Sequence, residues 1–132
     1  MHEIIIMIKK NIFSILVALI ITYLSLANAH TFDKVSSFID IPDIDKAVHF
    51  CMYFGLMSVI ILENRNNIKS NGHLFLLGLI PLFFGILMEI LQATLTVTRS
   101  GSFFDALANS VGILVSILLW LWIKPTKKEI IR

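Results

Sequence analysis

Polar residues in this chain fall into pairs that would share one face of a helix. Residues three or four positions apart lie side by side on a helix. A histidine next to a carboxylate can serve as an oriented general base. A carboxylate within an apolar stretch is costly to bury and therefore indicates a functional site. The pairs are Asp45 with His49, Glu89 with Gln92, and Asp105 with Asn109.

Two basic residues accompany these pairs. Lys46 stands within the first pair, and Arg99 follows the second. Cations near a membrane interface suit phosphate and carboxylate groups, with which they form strong hydrogen bonds. The sequence therefore predicts a ligand-binding site, with His49, Glu89 and Asp105 as the candidates for any catalytic role. The complete predicted set is Asp45, Lys46, His49, Glu89, Gln92, Arg99, Asp105 and Asn109.

The same residues also have a purely structural interpretation. Glu89 could form an ion pair with Arg99 or Lys46 that keeps the helices in register while contributing little net stability. Asp105 has capping-box spacing from Ser102 and could serve only the start of its helix. The two amides could form hydrogen bonds between helices. The sequence does not decide between these roles and ligand binding.

Metal binding has limited support in the sequence. Asp45, His49, Glu89 and Asp105 could form an oxygen-rich site with one histidine. Because no tight ligand motif such as H-E-x-x-H is present, the sequence predicts neither a metal nor another cofactor. The single cysteine, Cys51, excludes an intrachain disulfide.

The composition is typical of a membrane protein. Of the 132 residues, 57% are hydrophobic and only 15% are charged, compared with about 25% charged residues in soluble chains. The mean hydropathy is +0.85. So few polar residues could not cover the surface of a soluble protein, and membrane lipids are the predicted partners. The net charge of +2 is too small to indicate nucleic-acid binding.

Four apolar segments must position the polar side chains. They cover residues 12–29, 44–62, 74–95 and 103–123. A spanning helix needs about 20 residues, and the second segment approaches this length only by including the polar stretch before residue 47. The segments lack the alternating pattern of barrel strands. The sequence therefore predicts an all-α membrane protein, a single-domain bundle of four transmembrane helices over residues 1–132.

The first segment also has the features of a secretory signal peptide. It follows Lys9 and Lys10 and ends in Ala27-Asn28-Ala29, which fits an A-x-A cleavage site. Cleavage there would leave three helices. We expect a retained helix instead, because its apolar run is at the upper length limit for a signal peptide and more membrane segments follow.

The distribution of lysine and arginine predicts the orientation in the membrane. With the N-terminus in the cytoplasm, eight basic residues lie on the cytoplasmic side and three lie outside. The positive-inside rule favours this arrangement, with both termini in the cytoplasm of a multi-pass protein of the bacterial inner membrane. The start of the second segment, the end of the third and the start of the fourth then lie together. The predicted site therefore lies near the outer leaflet.

The order and spacing of these residues resemble those of the VanZ-like family, small bacterial integral membrane proteins named after an accessory teicoplanin-resistance protein. The resemblance covers residues 43–116, and one departure is Val97-Thr98, where the family often has Pro-Gly. The resemblance implies a multi-helix membrane protein and a link to glycopeptide tolerance, but no established biochemical activity. The matching residues are Asp45-Lys46-x-x-His49, Glu89-x-x-Gln92, Arg99, Asp105, Asn109 and Gly112.

Together these features predict a VanZ-like protein of the cell envelope whose outer-leaflet pocket binds a lipid or a lipid-linked anionic envelope precursor. Arg99 and Lys46 would hold the anion, while Glu89, Asp105 and His49 would orient these cations or handle a proton. Two alternatives stay open. One is a membrane enzyme acting on a lipid-linked phosphate or acyl group, and the other is a structural or assembly subunit of the membrane.

Overall fold

The protein is a bundle of helices. The computed structural model describes residues 1–27, 43–97 and 101–124, and within these ranges the chain forms five helices and no strand. Three helices are long and apolar enough to cross a membrane, and a fourth span exists if the first two helices, bent by 73°, are taken together. The predicted helical membrane bundle is confirmed. The helices are α1 His2–Lys10, α2 Ile12–Leu26, α3 Ile44–Asn64, α4 Asn71–Leu95 and α5 Phe103–Ile123.

The N-terminal segment differs from the continuous helix predicted over residues 12–29. Its helix α2 ends at Leu26 after 15 residues, about 22 Å of rise, which is less than the hydrocarbon thickness of about 30 Å. Residues 28 and 29 lie outside the described part of the chain. Helix α1 was not predicted, because Lys9 and Lys10 interrupt the apolar run. These two lysines occupy the last turn of α1, where positive charge suits the helix dipole.

A carboxylate from another helix caps the start of α2. Glu63, near the end of α3, accepts hydrogen bonds from the backbone N–H groups of Phe13, at 2.8 Å, and Ser14, at 3.1 Å. The Ser14 hydroxyl donates to the same carboxylate. The first N–H groups of a helix have no partner within the helix, so Glu63 satisfies two of them. The bend between α1 and α2 is thereby attached to the end of α3.

Helices α3 and α5 approach each other closely because small residues face the contact. A Cβ atom added at Gly112 would lie 3.0 Å from the backbone nitrogen of Phe54 and even closer to the carbonyl oxygen of Phe50. One turn further, the hydroxyl groups of Ser58 and Ser116 form a hydrogen bond of 2.8 Å. Small residues allow such contacts in membranes, where lipid provides no hydrophobic force between helices. Gly112 and Ser116 therefore form a close-packing stripe on the face of α5 that contacts α3.

The chain direction brings three helix ends together. The start of α3, the end of α4 and the start of α5 lie at one end of the bundle, which we call the cluster end. Away from it, an aliphatic core fills the space between the helices. Large apolar side chains such as Leu76, Phe83 and Leu118 point away from the bundle and are more than half exposed, as expected where lipid is the solvent. The core includes Leu56, Met57, Ile60, Ile61, Ile113 and Ile117.

Candidate functional site

A buried histidine is the centre of the candidate site. His49 lies in the second turn of α3 and is only 3% exposed. Its Nδ1 atom is 3.0 Å from the side-chain oxygen Oδ1 of Asn109 on α5. An amide oxygen only accepts hydrogen bonds, so Nδ1 donates in this interaction. In that neutral tautomer, Nε2 keeps its lone pair and can accept a proton or bind a metal.

Two carboxylates from different helices flank the imidazole ring. Glu89 of α4 places its Oε1 atom 3.6 Å from His49 Nδ1. Asp105 of α5 places its Oδ2 atom 3.9 Å from His49 Nε2. Glu89 is 8% exposed, and Asp105 is partly exposed. We call His49, Glu89, Asp105 and Asn109 the polar cluster, and it can orient a base, exchange a proton or provide ligands to a cation.

The start of α5 is capped in a way that the sequence did not predict. Ser102 occupies the N-cap position, but its side chain forms no capping hydrogen bond. Its backbone N–H donates instead to Oε2 of Glu89, at 3.0 Å. In a capping box this N–H would bond to the acidic side chain three residues later, which here is Asp105. Because Glu89 takes that role from α4, Asp105 is free to face His49.

Glycines allow the backbone to come close to the cluster. A Cβ atom added at Gly101 would overlap the carbonyl oxygen of Glu89, so the segment before α5 can lie against α4 only without a side chain there. A Cβ atom at Gly85 would lie 3.0 Å from the ring of Tyr53 and 3.4 Å from the side-chain nitrogen of Asn109. Both glycines therefore determine how closely α4 approaches the other two helices.

Several buried polar atoms around the cluster lack a hydrogen-bond partner among the described residues. They include Oε1 of Glu89, Nδ2 of Asn109 and the hydroxyl group of Tyr53. Tyr53 is 1% exposed and interacts electrostatically with Glu89. Buried polar groups without partners are rare because each costs free energy. Three of the four such atoms among the described residues belong to the polar cluster or to Tyr53 beside it.

Glu89 also lines a groove that opens between α4 and α5. The groove has a volume of about 260 Å³ and is otherwise lined by Ser102 and apolar residues. A larger cavity of about 590 Å³ lies among α1, α2, α3 and α4. It is mostly apolar and contains none of the residues of the polar cluster. The apolar residues of the groove are Ile86, Ile90, Ala93, Gly101, Phe103 and Ala106.

Comparison with known families identifies the chain. The family profile described as VanZ/LLP1 matches residues 2–124 of the 132 residues. This chain belongs to the VanZ-like family. No curated protein and no solved structure gives a significant match. The family and the apolar helices together make this a membrane protein, in agreement with the resemblance seen in the sequence.

The structure of this VanZ-like protein brings together only part of the predicted set. Gln92 points elsewhere and donates from Nε2 to the backbone oxygen of Ser25 on α2, at 2.8 Å. Asp45 is exposed. Lys46 forms an ion pair with Asp43, although it also interacts electrostatically with Asp105. Arg99 lies outside the described residues, so its predicted role stays a prediction.

Three further residues of this VanZ-like protein belong to the site, although their types and spacing did not predict it. Tyr53 carries a buried hydroxyl group, Ser102 contributes its backbone N–H, and Gly101 permits the contact with Glu89. Tyr53 had a usable signal, because it follows His49 by four residues on the same helix face. The roles of Ser102 and Gly101 depend on backbone atoms, which residue type does not reveal.

Proposed function

We propose that this VanZ-like protein binds the anionic group of a membrane lipid or of a lipid-linked envelope precursor at the polar cluster. The observation that carries the proposal is the position of Glu89. One side of this residue lines the groove between α4 and α5, and its Oε1 atom faces His49 at 3.6 Å. A molecule that entered the groove from the lipid would therefore meet the cluster directly.

The two parts of the site suit the two parts of a lipid. The groove walls are apolar and complement acyl or prenyl chains, whose burial is favourable. Glu89 connects the groove to the rest of the polar cluster, where a headgroup would be placed. Arg99 precedes Gly101 of the groove by two residues in the chain. It would supply the positive charge for a phosphate or carboxylate.

We further propose that the cluster end faces the outside of the bacterial inner membrane and that both termini are cytoplasmic. The support is the excess of basic residues, eight against three, on the opposite side. Cysteine labelling tests this orientation in a variant whose only native cysteine, Cys51, is replaced by alanine. A cysteine introduced at Val97 should then react with a membrane-impermeant maleimide in intact cells. A cysteine at Asn67, beyond the other end of α3, should react only after lysis. The reverse pattern would contradict this orientation.

The binding proposal is tested by the lipids that co-purify with the protein. Wild type and Glu89→Gln would be isolated in native-lipid particles and compared by mass spectrometry. Glu89→Gln keeps an oxygen that can accept from Ser102 but removes the negative charge that, in this proposal, orients Arg99 towards the ligand. We therefore expect an anionic lipid enriched on wild type to fall about tenfold, or about 1.4 kcal/mol of binding. Glu3→Gln, in exposed α1, is the matched control and should keep the wild-type profile. Identical lipid profiles in wild type, Glu89→Gln and Arg99→Ala would refute the proposal.

The same mass spectra distinguish lipid binding from the two alternatives, a membrane enzyme and a structural subunit. The hydrogen bond of His49 Nδ1 to Asn109 favours an enzyme as the second candidate, because an acceptor on one ring nitrogen orients the other nitrogen as a base. Conversion of the bound lipid to a cleaved product by wild type would support it. A structural subunit would show no enriched lipid, and its polar substitutions would lower only its stability. The link to glycopeptide tolerance stays a prediction.

A further inference from the structure

We infer that His49, Glu89 and Asp105 form a binding site for a divalent transition-metal ion, Zn²⁺ or Mn²⁺. Each residue offers one ligand atom, and these atoms all lie within 4.8 Å of one another. The three residues come from α3, α4 and α5, so an ion bound here would join three helices. Their donor set is one imidazole and two carboxylates, which suits Zn²⁺ and Mn²⁺ and disfavours soft ions such as Cu⁺.

The histidine is held as a metal ligand needs to be held. A metal-binding histidine typically donates its other ring N–H to an oxygen acceptor, which sets the tautomer and the ring orientation. His49 does this through Nδ1 and the amide oxygen of Asn109, at 3.0 Å. Its Nε2 atom then keeps its lone pair, 3.9 Å from Oδ2 of Asp105. The bond to Asn109 therefore has the character of an outer-shell interaction around a metal.

Glu89 provides the second, independent indication. Its Oε2 atom is anchored by the backbone N–H of Ser102, whereas Oε1 is buried and has no hydrogen-bond partner among the described residues. A buried carboxylate oxygen without a partner costs free energy. A cation between Oε1, His49 and Asp105 would remove this cost. The anchored Oε2 atom would at the same time hold the carboxylate in a fixed orientation.

Metal binding would require the three side chains to contract from a spacing of ligand atoms of up to 4.8 Å. Zn–N and Zn–O bonds of about 2.0–2.2 Å place tetrahedral ligand atoms about 3.3 Å apart. His49 Nε2 and Asp105 Oδ2 are 3.9 Å apart, and rotation of the partly exposed Asp105 side chain can close the difference. Three protein ligands leave a fourth position open, as in catalytic rather than structural zinc sites. That position could take water or an oxygen atom of a phosphate.

A metal would also explain how a site rich in carboxylates could receive an anion. Lys46 is paired with Asp43, and the described residues of the cluster bring two acidic groups and no permanent positive charge. A divalent ion would neutralise the two carboxylates and attract the phosphate or carboxylate of a lipid. This last step rests on the proposed function, but binding of the metal itself does not.

The test is direct metal binding by the full chain. Protein without a polyhistidine tag would be reconstituted in lipid particles made only of a zwitterionic lipid, stripped with a chelator and titrated with Zn²⁺, Mn²⁺ and Ca²⁺. We expect about one Zn²⁺ or Mn²⁺ per chain by elemental analysis and much weaker binding of Ca²⁺. Bound Co²⁺ should show the visible absorption of a site with nitrogen and oxygen ligands.

Matched variants show whether the metal binds at His49, Glu89 and Asp105. Asp105→Asn and His49→Ala should weaken Zn²⁺ binding by about a hundredfold or more. Asp45→Asn removes an acidic group from the same end of the bundle but from an exposed position, and it should bind like wild type. Equal affinities in Asp105→Asn and Asp45→Asn would overturn the inference. So would a wild-type protein that binds no stoichiometric ion, a result that does not depend on any variant folding.

The metal inference and the proposed function can fail separately. In one outcome the protein binds stoichiometric metal in the zwitterionic lipid, but no anionic lipid in the native particles depends on Glu89. This outcome would retain the metal site and refute the lipid proposal. The opposite result, with an enriched anionic lipid and no metal, would retain the lipid proposal and refute the metal site.

Discussion

Replacing Gly112 with alanine is expected to destabilise the bundle strongly, whereas the same replacement at Gly55 is expected to be neutral or stabilising. The added methyl group at position 112 would press on the backbone of α3, at Phe50 and Phe54. Backbone atoms cannot rotate away as a side chain can, so the helices must separate. Overpacking of this kind costs about 1–3 kcal/mol.

Gly55 is a suitable control because it lies in the middle of α3 and a Cβ atom there would meet nothing within 4 Å. Alanine is favoured over glycine within helices by about 1 kcal/mol, so Gly55→Ala should not lower the melting temperature. Thermal unfolding in detergent would compare the two variants with wild type. Equal melting temperatures for both would show that α3 and α5 are not packed as described.

The effect at Gly112 should extend to the polar cluster. His49 lies on α3, and its partners Asn109 and Asp105 lie on α5, so separation of these helices would lengthen both contacts. Gly112→Ala is therefore expected to weaken lipid and metal binding although Gly112 contacts neither. Hydrogen exchange at the start of α5 would increase together with the loss of stability.

Replacing Asn109 with leucine is expected to release His49 from its fixed tautomer. Leucine has a similar volume but offers no oxygen to Nδ1, which would leave a buried donor 3.6 Å from the carboxylate of Glu89. A buried donor that loses its partner costs about 1–3 kcal/mol. If the cluster binds a metal, loss of this outer-shell bond should also lower the metal affinity about 10–100-fold.

Imidazole nitrogen chemical shifts distinguish this role from simple packing. In wild type they should report a proton on Nδ1 of His49, and in Asn109→Leu they should report exchange between the two tautomers. Ser110→Ala is the control, because within the described part of the chain the Ser110 hydroxyl group bonds only to the oxygen of Ala106 in its own helix. A tautomer that is unchanged by Asn109→Leu would show that Asn109 does not position the ring.

The site as a whole was more predictable than its individual contacts. The pairing of His49 with α5 and the approach of Glu89 follow from helix direction, because three polar helix ends lie at the same end of the bundle. The partners of Gln92 and Glu63 did not follow. Gln92 bonds to the backbone of α2, and Glu63 caps a helix about 50 residues away in the chain. Helical spacing identifies a face, but it does not identify the element opposite that face.

The sequence by itself determined that the protein lies in membrane lipid, that its fold is all-α, and which end of the bundle carries the polar residues. Run length and charge content suffice for these, because a continuous apolar run can satisfy its backbone in lipid only as a helix. Only the tertiary structure decided which polar atoms meet. Those contacts depend on differences of a few ångströms in the approach of the helices, which are controlled here by Gly85, Gly101 and Gly112. The tertiary structure therefore placed His49 between Glu89 and Asp105, and it directed Gln92 and Lys46 to other partners.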